Sequence, residues 1–387
     1  WPTMTLDELI GVPGPESDWQ LATYAKLPLT IVRGQGSQVW DAEGRVFWDF
    51  YGGHAVALVG HSHPAWCEIV AEQSRRLAFY SNVITCPVRA AACRTIVEFA
   101  PKNLTRVFLS NSGAEANEVA LKIARHHTGR TEVVAFEGAF HGRTMGALAV
   151  THSEKYRSYP VVQLGHTRFV PWGEVPALDE NVAAVILEPV QSLAGMRTAT
   201  AAFLRGLRTE CDRVGAKLIF DEVQTAWGRL GANTASDLFG VRADLLTSAK
   251  SAANGFPVGV TLVDAELAAL AKDGDQGSTF GAGPMACAAI LATHHILRTE
   301  GLVARAAEVE ASLRAALPQI EIRGHGCLLG LVFPQPVRPM VATLRERGFI
   351  VGGSDDPHVM RLMPPLNIPF EAVNALAQSI RSLSCKP

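Results

Sequence analysis

Residues 107–117 read VFLSNSGAEAN, an apolar strand that runs into a turn of small residues and then opens a helix. At such a turn, backbone N–H groups and the positive end of the helix point at one place, and small side chains let an anion come close. The stretch therefore predicts a strand, a phosphate-binding turn and a helix. The same pattern is also typical of a serine that caps a crossover helix.

Apolar runs rich in branched residues alternate with helix-like stretches along the middle of the chain. The strand-like runs are residues 106–109, 132–136, 183–187 and 217–220. Residues 114–127 and 200–214 carry apolar residues at three- and four-residue spacing, which is typical of crossover helices. This alternation predicts an α/β domain with a mainly parallel sheet.

The two ends of the chain predict a second, smaller α+β domain. Residues 1–50 contain two short strands around the turn 41–44, and residues 286–387 contain helix-like stretches, a strand and a final helix. The 387 residues exceed the roughly 250 to 300 that a single core reaches. We expect a large domain at 51–285 and a small domain formed by 1–50 and 286–387.

Composition argues against nucleic acid, membrane and metal as partners. Hydrophobic residues make up 48% of the chain and the formal net charge is -2, so the basic excess that favours nucleic acid is missing. No apolar run approaches the roughly 18 residues of a membrane-spanning helix. The 7 cysteines are scattered singly, so we expect no zinc site, no disulfides and a reducing, cytoplasmic location.

Asp221 and Lys250 are candidates for chemistry. Asp221 follows the apolar run 217–220, at the sheet edge where α/β proteins bind ligands. The protonated pyridine nitrogen of pyridoxal phosphate is a natural partner for a buried carboxylate there, although a strand-end aspartate also often caps a helix. Lys250 lies among small and apolar residues, and burial would free its amine to react with an aldehyde; a lone lysine is otherwise often a surface residue.

The ordered motifs of the chain resemble those of the class III, fold-type I aminotransferases, in particular the acetylornithine aminotransferase group. These motifs are residues 39–64, 110–117, 138–144, 188–191, 220–228, 249–259 and 277–281. The resemblance covers nearly the whole length. It implies pyridoxal phosphate as cofactor, a large domain with a mainly parallel sheet, a smaller domain, and a homodimer with shared active sites.

The resemblance also implies roles for single residues. Lys250 is implied to bind the cofactor covalently and to move the proton at the substrate's alpha carbon, and Asp221 to face the pyridine nitrogen. The other implied cofactor-binding residues are Ser112, Gly113 and Ala114 at the phosphate, Phe140 on the ring, Gln224 near the phenolic oxygen, Thr279 at the phosphate of the neighbouring subunit, and Glu188 and Val223.

Two arginines are implied to bind substrate carboxylates, with Ser278 nearby. Arg143 matches the family's carboxylate clamp, and Arg361 matches the residue that receives the alpha-carboxylate of 2-oxoglutarate or glutamate. The planar fork of a guanidinium pairs both oxygens of a carboxylate. Either arginine could instead be an exposed ion-pair residue.

One position departs from the family pattern. Most relatives carry a glutamate shortly after the motif 188–191, which pairs with the second arginine while the amino donor is bound; this chain has Leu193. A leucine cannot neutralise a buried guanidinium. We therefore expect Arg361 to be hydrated, to have another partner, or to favour an anionic ligand in both half-reactions, for example a negative group on the amino donor.

The loop 51–56, YGGHAV, bears on the substrate. Ornithine aminotransferases of the family place a tyrosine there near a free alpha-amino group, whereas Gly53 leaves that space open. His54 either contacts the substrate or hydrogen-bonds the backbone of the loop. The loop favours an N-acylated or otherwise enlarged diamino acid over free ornithine.

The predicted reaction is transamination of the terminal amino group of an acetylornithine-type donor, with 2-oxoglutarate or glutamate as the second substrate. The resemblance implies a ping-pong reaction through pyridoxamine phosphate. N-succinylornithine, a carrier-linked lysine precursor and 4-aminobutyrate are alternative donors. An isomerase or aminomutase of the same fold and a cofactor-free regulatory relative are the competing classes.

Overall fold

The computed structural model describes residues 4–11, 14–157 and 166–384. The strands of this part are β1 (Ile31–Gln35), β2 (Gln38–Asp41), β3 (Val46–Asp49), β4 (Leu104–Ser110), β5 (Glu132–Phe136), β6 (Thr167–Val170), β7 (Val182–Leu187), β8 (Val190–Gln191), β9 (Arg197–Thr198), β10 (Lys217–Asp221), β11 (Leu245–Ser248), β12 (Gly259–Asp264), β13 (Glu321–His325), β14 (Leu328–Val332), β15 (Phe349–Ile350) and β16 (Val359–Leu362).

The helices of the same part follow in chain order. They are α1 (Leu6–Ile10), α2 (Gly52–Ala55), α3 (Pro64–Arg76), α4 (Pro87–Phe99), α5 (Gly113–Thr128), α6 (Met145–Ala149), α7 (Ala201–Val214), α8 (Ala235–Phe239), α9 (Ala265–Ala269), α10 (Pro284–Thr299), α11 (Leu302–Ala316), α12 (Arg338–Glu346) and α13 (Phe370–Ser384). Short 3-10 turns cover Glu16–Asp18, Glu154–Tyr156 and Lys250–Ala253.

Seven strands form the central sheet, in the order β4-β12-β11-β10-β7-β5-β6. Strand β10 is parallel to β7 and β11, and β5 is parallel to β6 and β7, whereas β12 is antiparallel to both of its neighbours. Strands β7 and β10 are buried along their whole length, as expected for a sheet covered on both faces. The predicted α/β fold with a mainly parallel sheet is confirmed.

Segments from both ends of the chain meet beside the central sheet. Strands β1, β2 and β3 form a sheet with β15, in which Trp48 pairs with Phe349. A further sheet has the order β13-β14-β16 and places Arg361 opposite Gly330. One buried apolar cluster joins Leu109 of the central sheet to helices α10, α11 and α13. None of the helices in the described ranges is long and apolar enough to cross a membrane.

Candidate active site

A cavity of about 350 Å³ opens at one edge of the central sheet. Strands β4, β7, β10 and β11 run in the same direction, so their carboxyl ends lie at this edge. Many of the predicted site residues line the cavity, namely Ser112, Gly113, Ala114, Phe140, Glu188, Asp221, Val223, Gln224 and Lys250. The structure therefore brings together residues that are far apart in sequence.

The turn after β4 combines a capped helix with a small-residue cradle. The Ser112 hydroxyl accepts a hydrogen bond from the Glu115 N–H at 3.2 Å and donates to the Glu115 carboxylate at 3.0 Å. A Cβ atom at position 113 would lie 2.9 Å from both Val223 methyl groups, so a larger residue there would force Val223 to move. Both interpretations of the stretch therefore apply: Ser112 caps α5, and the turn leaves room for a ligand.

Asp221 is buried and held by three hydrogen bonds. Its Oδ2 accepts from the Asn117 amide at 2.7 Å and lies 2.7 Å from His141 Nδ1, and its Oδ1 accepts from the Val223 N–H at 3.0 Å. Thr247 in turn donates to Asn117 Oδ1 at 2.6 Å. No helix begins directly after Asp221, so it does not cap one. The network fixes the carboxylate toward the cavity edge rather than leaving it free to rotate.

Asn117 and His141 are site residues that the sequence prediction missed. Both lie inside quoted motifs, 110–117 and 138–144, but neither residue type indicated a contact to Asp221. The usable signal was their position, because Asn117 lies near the start of α5 after β4 and His141 lies in the segment after β5, close to the sheet edge where ligands bind.

Lys250 follows β11, is half-buried and lines the cavity, which excludes the surface-loop interpretation. Burial lowers the pKa of Lys250 to about 8, although the carboxylates of Asp221 and Glu188 oppose this shift. Burial, and then the nearby Asp221, raise the pKa of Glu188 well above its usual range. Glu188 also accepts a hydrogen bond from the Phe140 N–H at 2.9 Å.

The two candidate carboxylate clamps differ in environment. Arg143 is exposed, and its guanidinium lies 4.5 Å from the centroid of the Tyr156 ring. The Tyr156 ring also contacts Phe140, with ring centroids 5.2 Å apart. Arg143 forms no ion pair with the residues that the structure describes. It is therefore available to an anionic ligand, but the structure does not place it among the residues that line the cavity.

Arg361 is only 3% exposed and has neutral partners. Its Nη1 donates to the Ser192 hydroxyl at 2.9 Å, and its Nε donates to the Gly353 carbonyl. Burial lowers the pKa of Arg361, whereas Tyr51, Asp355 and Glu188 oppose this effect. With Leu193 in place of a glutamate, Arg361 was expected to be hydrated, to have another partner or to favour an anionic ligand. The structure gives Arg361 another side-chain partner, the uncharged Ser192.

The loop that contains Gly53 and His54 is a left-handed turn. The four residues of α2 have φ values of 58, 58, 74 and 63 degrees. This left-handed conformation costs a residue with a side chain about 1–2 kcal/mol relative to the right-handed one. His54 Nδ1 lies 2.8 Å from the Tyr51 hydroxyl, so its partner is a side chain and not the loop backbone. A side-chain atom at position 53 would meet nothing within 4 Å.

His54 also lies near the candidate cations. Burial lowers the pKa of His54 to about 3, and the charges of Arg361, Lys250 and Arg143 act in the same direction. The imidazole is therefore neutral at ordinary pH.

Ser278 and Thr279 lie outside the cavity of their own chain. The Ser278 hydroxyl accepts a hydrogen bond from the Asn111 amide at 3.1 Å, and Thr279 is exposed. Asn82 donates to the carbonyls of Ser278 and Gly281, both at 3.2 Å, and so joins the segments around 82 and 279.

The sequence profile described as aminotransferase class-III matches residues 21–383. The chain belongs to this family. It is a pyridoxal phosphate-dependent aminotransferase, and the family resemblance inferred from the motifs is confirmed. Lys250 and Asp221, which line the same cavity, argue against the competing prediction of a cofactor-free relative.

Relatives of this aminotransferase match over most of their length. An acetylornithine aminotransferase from Methanopyrus kandleri is 42% identical over 81% of this chain and 83% of its own. One from Methanosarcina acetivorans is 38% identical over 93% of both chains. The solved ornithine aminotransferase from Toxoplasma gondii ME49 has a TM-score of 0.88 at 30% identity, covering 95% of this chain and 94% of its own. These matches confirm the fold-type I architecture.

The residues of this aminotransferase fit pyridoxal phosphate. The bound cofactor supplies a ring that accepts electrons from the substrate carbon that bears the reacting amino group. Gly113 has no side chain, which leaves space for the phosphate. Gln224 Oε1 is buried and has no hydrogen-bond partner among the described residues. The amine of Lys250 and the carboxylate of Asp221 line the same cavity, as this cofactor requires.

Proposed function

We propose that this aminotransferase transfers the terminal amino group of an N-acylated diamino acid of the acetylornithine type to 2-oxoglutarate. The proposal includes a ping-pong reaction, in which both substrates use one site in turn. The observation that carries it is Lys250, with a pKa lowered to about 8, in one cavity with Asp221. A lysine of this kind holds a useful fraction of unprotonated amine at neutral pH.

Each cavity residue has a proposed task. Lys250 binds the cofactor and afterwards carries the proton at the carbon that bears the reacting amino group, because its amine is the base of the cavity. Asp221, which Asn117 and His141 hold in place, faces the pyridine nitrogen. Residues 112–114 hold the phosphate. Phe140 covers the ring and excludes water, as an aromatic side chain at a cavity wall does.

The proposed second substrate uses the two arginines. Arg361 binds the carboxylate on the reacting carbon of 2-oxoglutarate or glutamate, and Arg143 binds the distant carboxylate. Two cations suit a dicarboxylate, since a guanidinium pairs both oxygens of one carboxylate. An isomerase needs no external amino acceptor, so the pair of arginines favours transamination.

The proposed donor rests on the relatives and on the α2 turn. Several relatives are named acetylornithine aminotransferases. The open space at Gly53 suits a donor whose alpha-amino group carries an acyl group. We propose His54, Gly53 and Ser278 as contributors to this part of the substrate site.

We also propose that the active form is a homodimer. Val83 is 87% exposed and Phe280 is 67% exposed, and Phe280 contacts Phe79 at 5.4 Å between ring centroids. An exposed apolar patch of this kind marks an interaction surface. Thr279 lies in the same patch and outside its own cavity, which suits a residue that reaches the phosphate of the neighbouring subunit.

Two further assignments remain proposals. We propose a large domain at 51–285 and a small domain formed by 1–50 and 286–387, supported by the pairing of β3 with β15. A cytoplasmic location is supported by the cysteines, because the six in the described ranges are all free thiols.

A panel of donors assayed with 2-oxoglutarate for glutamate formation tests the proposed function. The panel contains N-acetylornithine, N-succinylornithine, ornithine and 4-aminobutyrate. We expect the N-acylated donors to give the highest kcat/KM. Higher kcat/KM for free ornithine would contradict the donor, and an absence of glutamate with every donor would contradict the acceptor.

A further inference from the structure

Arg361 is a buried cation that lacks a counter-ion. Its protein partners are the Ser192 hydroxyl and the Gly353 carbonyl, and no carboxylate of the described residues lies within 4 Å of the guanidinium. The third guanidinium nitrogen of Arg361, Nη2, donates to no acceptor among the residues that the structure describes. A desolvated charge in this state is costly, and the lowered pKa of Arg361 reflects that cost.

The titratable groups that face Arg361 are poor counter-ions. Tyr51 has a raised pKa and is therefore neutral at ordinary pH, and Asp355 is exposed to solvent. Glu188 has a raised pKa, because it is buried beside Asp221. The protein itself therefore does not neutralise the guanidinium.

The two substrates of the proposed function differ at this point. Glutamate and 2-oxoglutarate carry a carboxylate on the reacting carbon, which Arg361 binds. A terminal-amine donor carries only hydrogen there, so it excludes water from the guanidinium without supplying a negative charge.

We propose that Arg361 binds a small monovalent anion, such as chloride or formate, as a co-ligand while the terminal-amine donor occupies the site. This inference rests on the proposed function. The anion neutralises the buried guanidinium in the donor half-reaction and leaves when the carboxylate of 2-oxoglutarate replaces it. Formate binds more tightly than chloride, because its two oxygens match the fork of the guanidinium.

The test measures the rate at which the absorbance of the bound cofactor changes when the holoenzyme is mixed with subsaturating N-acetylornithine and no acceptor. Sodium chloride or sodium formate replaces the salt of a bulky organic sulfonate at constant ionic strength. We expect a saturable rise in rate of about 10-fold, the effect of one charge-assisted hydrogen-bonded pair. The same anions should raise the KM for 2-oxoglutarate. Equal rates in chloride, formate and sulfonate would overturn the proposal.

Two variants supply a tethered carboxylate. Ser192→Asp places it where Arg361 Nη1 now donates to a hydroxyl, and Leu193→Glu places it on the adjacent, half-buried residue. Both should remove the dependence on chloride. Ser192→Asn, which is matched in size to aspartate and uncharged, should keep it. Leu193 is less buried than Ser192, so a larger side chain is easier to place there. If the rate of Leu193→Glu still depended on chloride as strongly as the rate of the unchanged protein, the proposed site would be contradicted.

Binding is also measured without turnover. The melting temperature of the holoenzyme should rise saturably with chloride but not with the sulfonate, and Leu193→Glu should abolish the rise. A holoenzyme that shows no absorbance change with any donor at any salt would refute the proposed function. An absorbance change whose rate is the same with and without the small anion would refute only the proposed anion co-ligand.

Discussion

The environment of Lys250 changes the chemistry of its amine. Burial lowers its pKa to about 8, so a growing fraction of the amine becomes unprotonated as the pH rises toward that value. The rate at which the apoenzyme captures pyridoxal phosphate should therefore rise about 10-fold per pH unit below pH 8 and level off above it. Stopped-flow absorbance measures this rate. A rate that continues to rise to pH 10 would show that the amine is not buried.

His141 is a positioning residue for Asp221. Its Nδ1 lies 2.7 Å from the carboxylate in a fully buried place. His141→Phe should lower kcat by about 10-fold, the value of one hydrogen bond to a charged group, with a smaller effect on KM. The pH titration of the bound cofactor's absorbance should shift as well, which a purely structural role would not cause. Surface variant His295→Phe serves as the control, and an unchanged titration in His141→Phe would contradict the assignment.

Single residues differ in how well the sequence alone predicts their role. The motifs identified Lys250 and Asp221, because residue type and strand-end position together indicate chemistry. They did not identify Ser192 as the partner of Arg361, since this contact joins residues 169 positions apart. Contacts of this kind depend on how two sheets pack, which no local pattern records.

Regular elements were predicted from their periodicity. The apolar runs at 132–136 and 217–220 correspond to β5 and β10, and the helical spacing at 200–214 corresponds to α7. Strands β11 (LLTS) and β12 (GVTLVD) were not predicted, although nearly all of their residues are buried, because threonine interrupts the apolar run in each.

The α2 turn was not predicted, and it offers a matched pair of variants. Gly52 and Gly53 both have φ 58 degrees, but a side chain at position 52 would lie 2.5 Å from the Met363 carbonyl, whereas position 53 is open. Gly53→Ala should cost only the conformational penalty of about 1 kcal/mol. Gly52→Ala should lower the melting temperature of the holoenzyme distinctly more. Equal losses would show that the turn does not pack against Met363.

The proposed dimer surface contains the exposed apolar residue Phe280. Phe280→Asp places a charge in the apolar patch, so it should shift the protein toward monomer in sedimentation velocity. The monomer should also bind pyridoxal phosphate less tightly, because it lacks the partner's Thr279. Val175→Asp, at another exposed apolar position, is the control. An unchanged sedimentation coefficient for Phe280→Asp would place the interface elsewhere.

The proposed reaction depends on a covalent bond between Lys250 and pyridoxal phosphate in a cavity that Asp221 also lines. Reduction of the holoenzyme with borohydride, followed by peptide mass mapping, tests this bond directly. The predicted result is one cofactor adduct, carried by the peptide that contains Lys250. An adduct on another lysine, or none, would contradict the assigned active site.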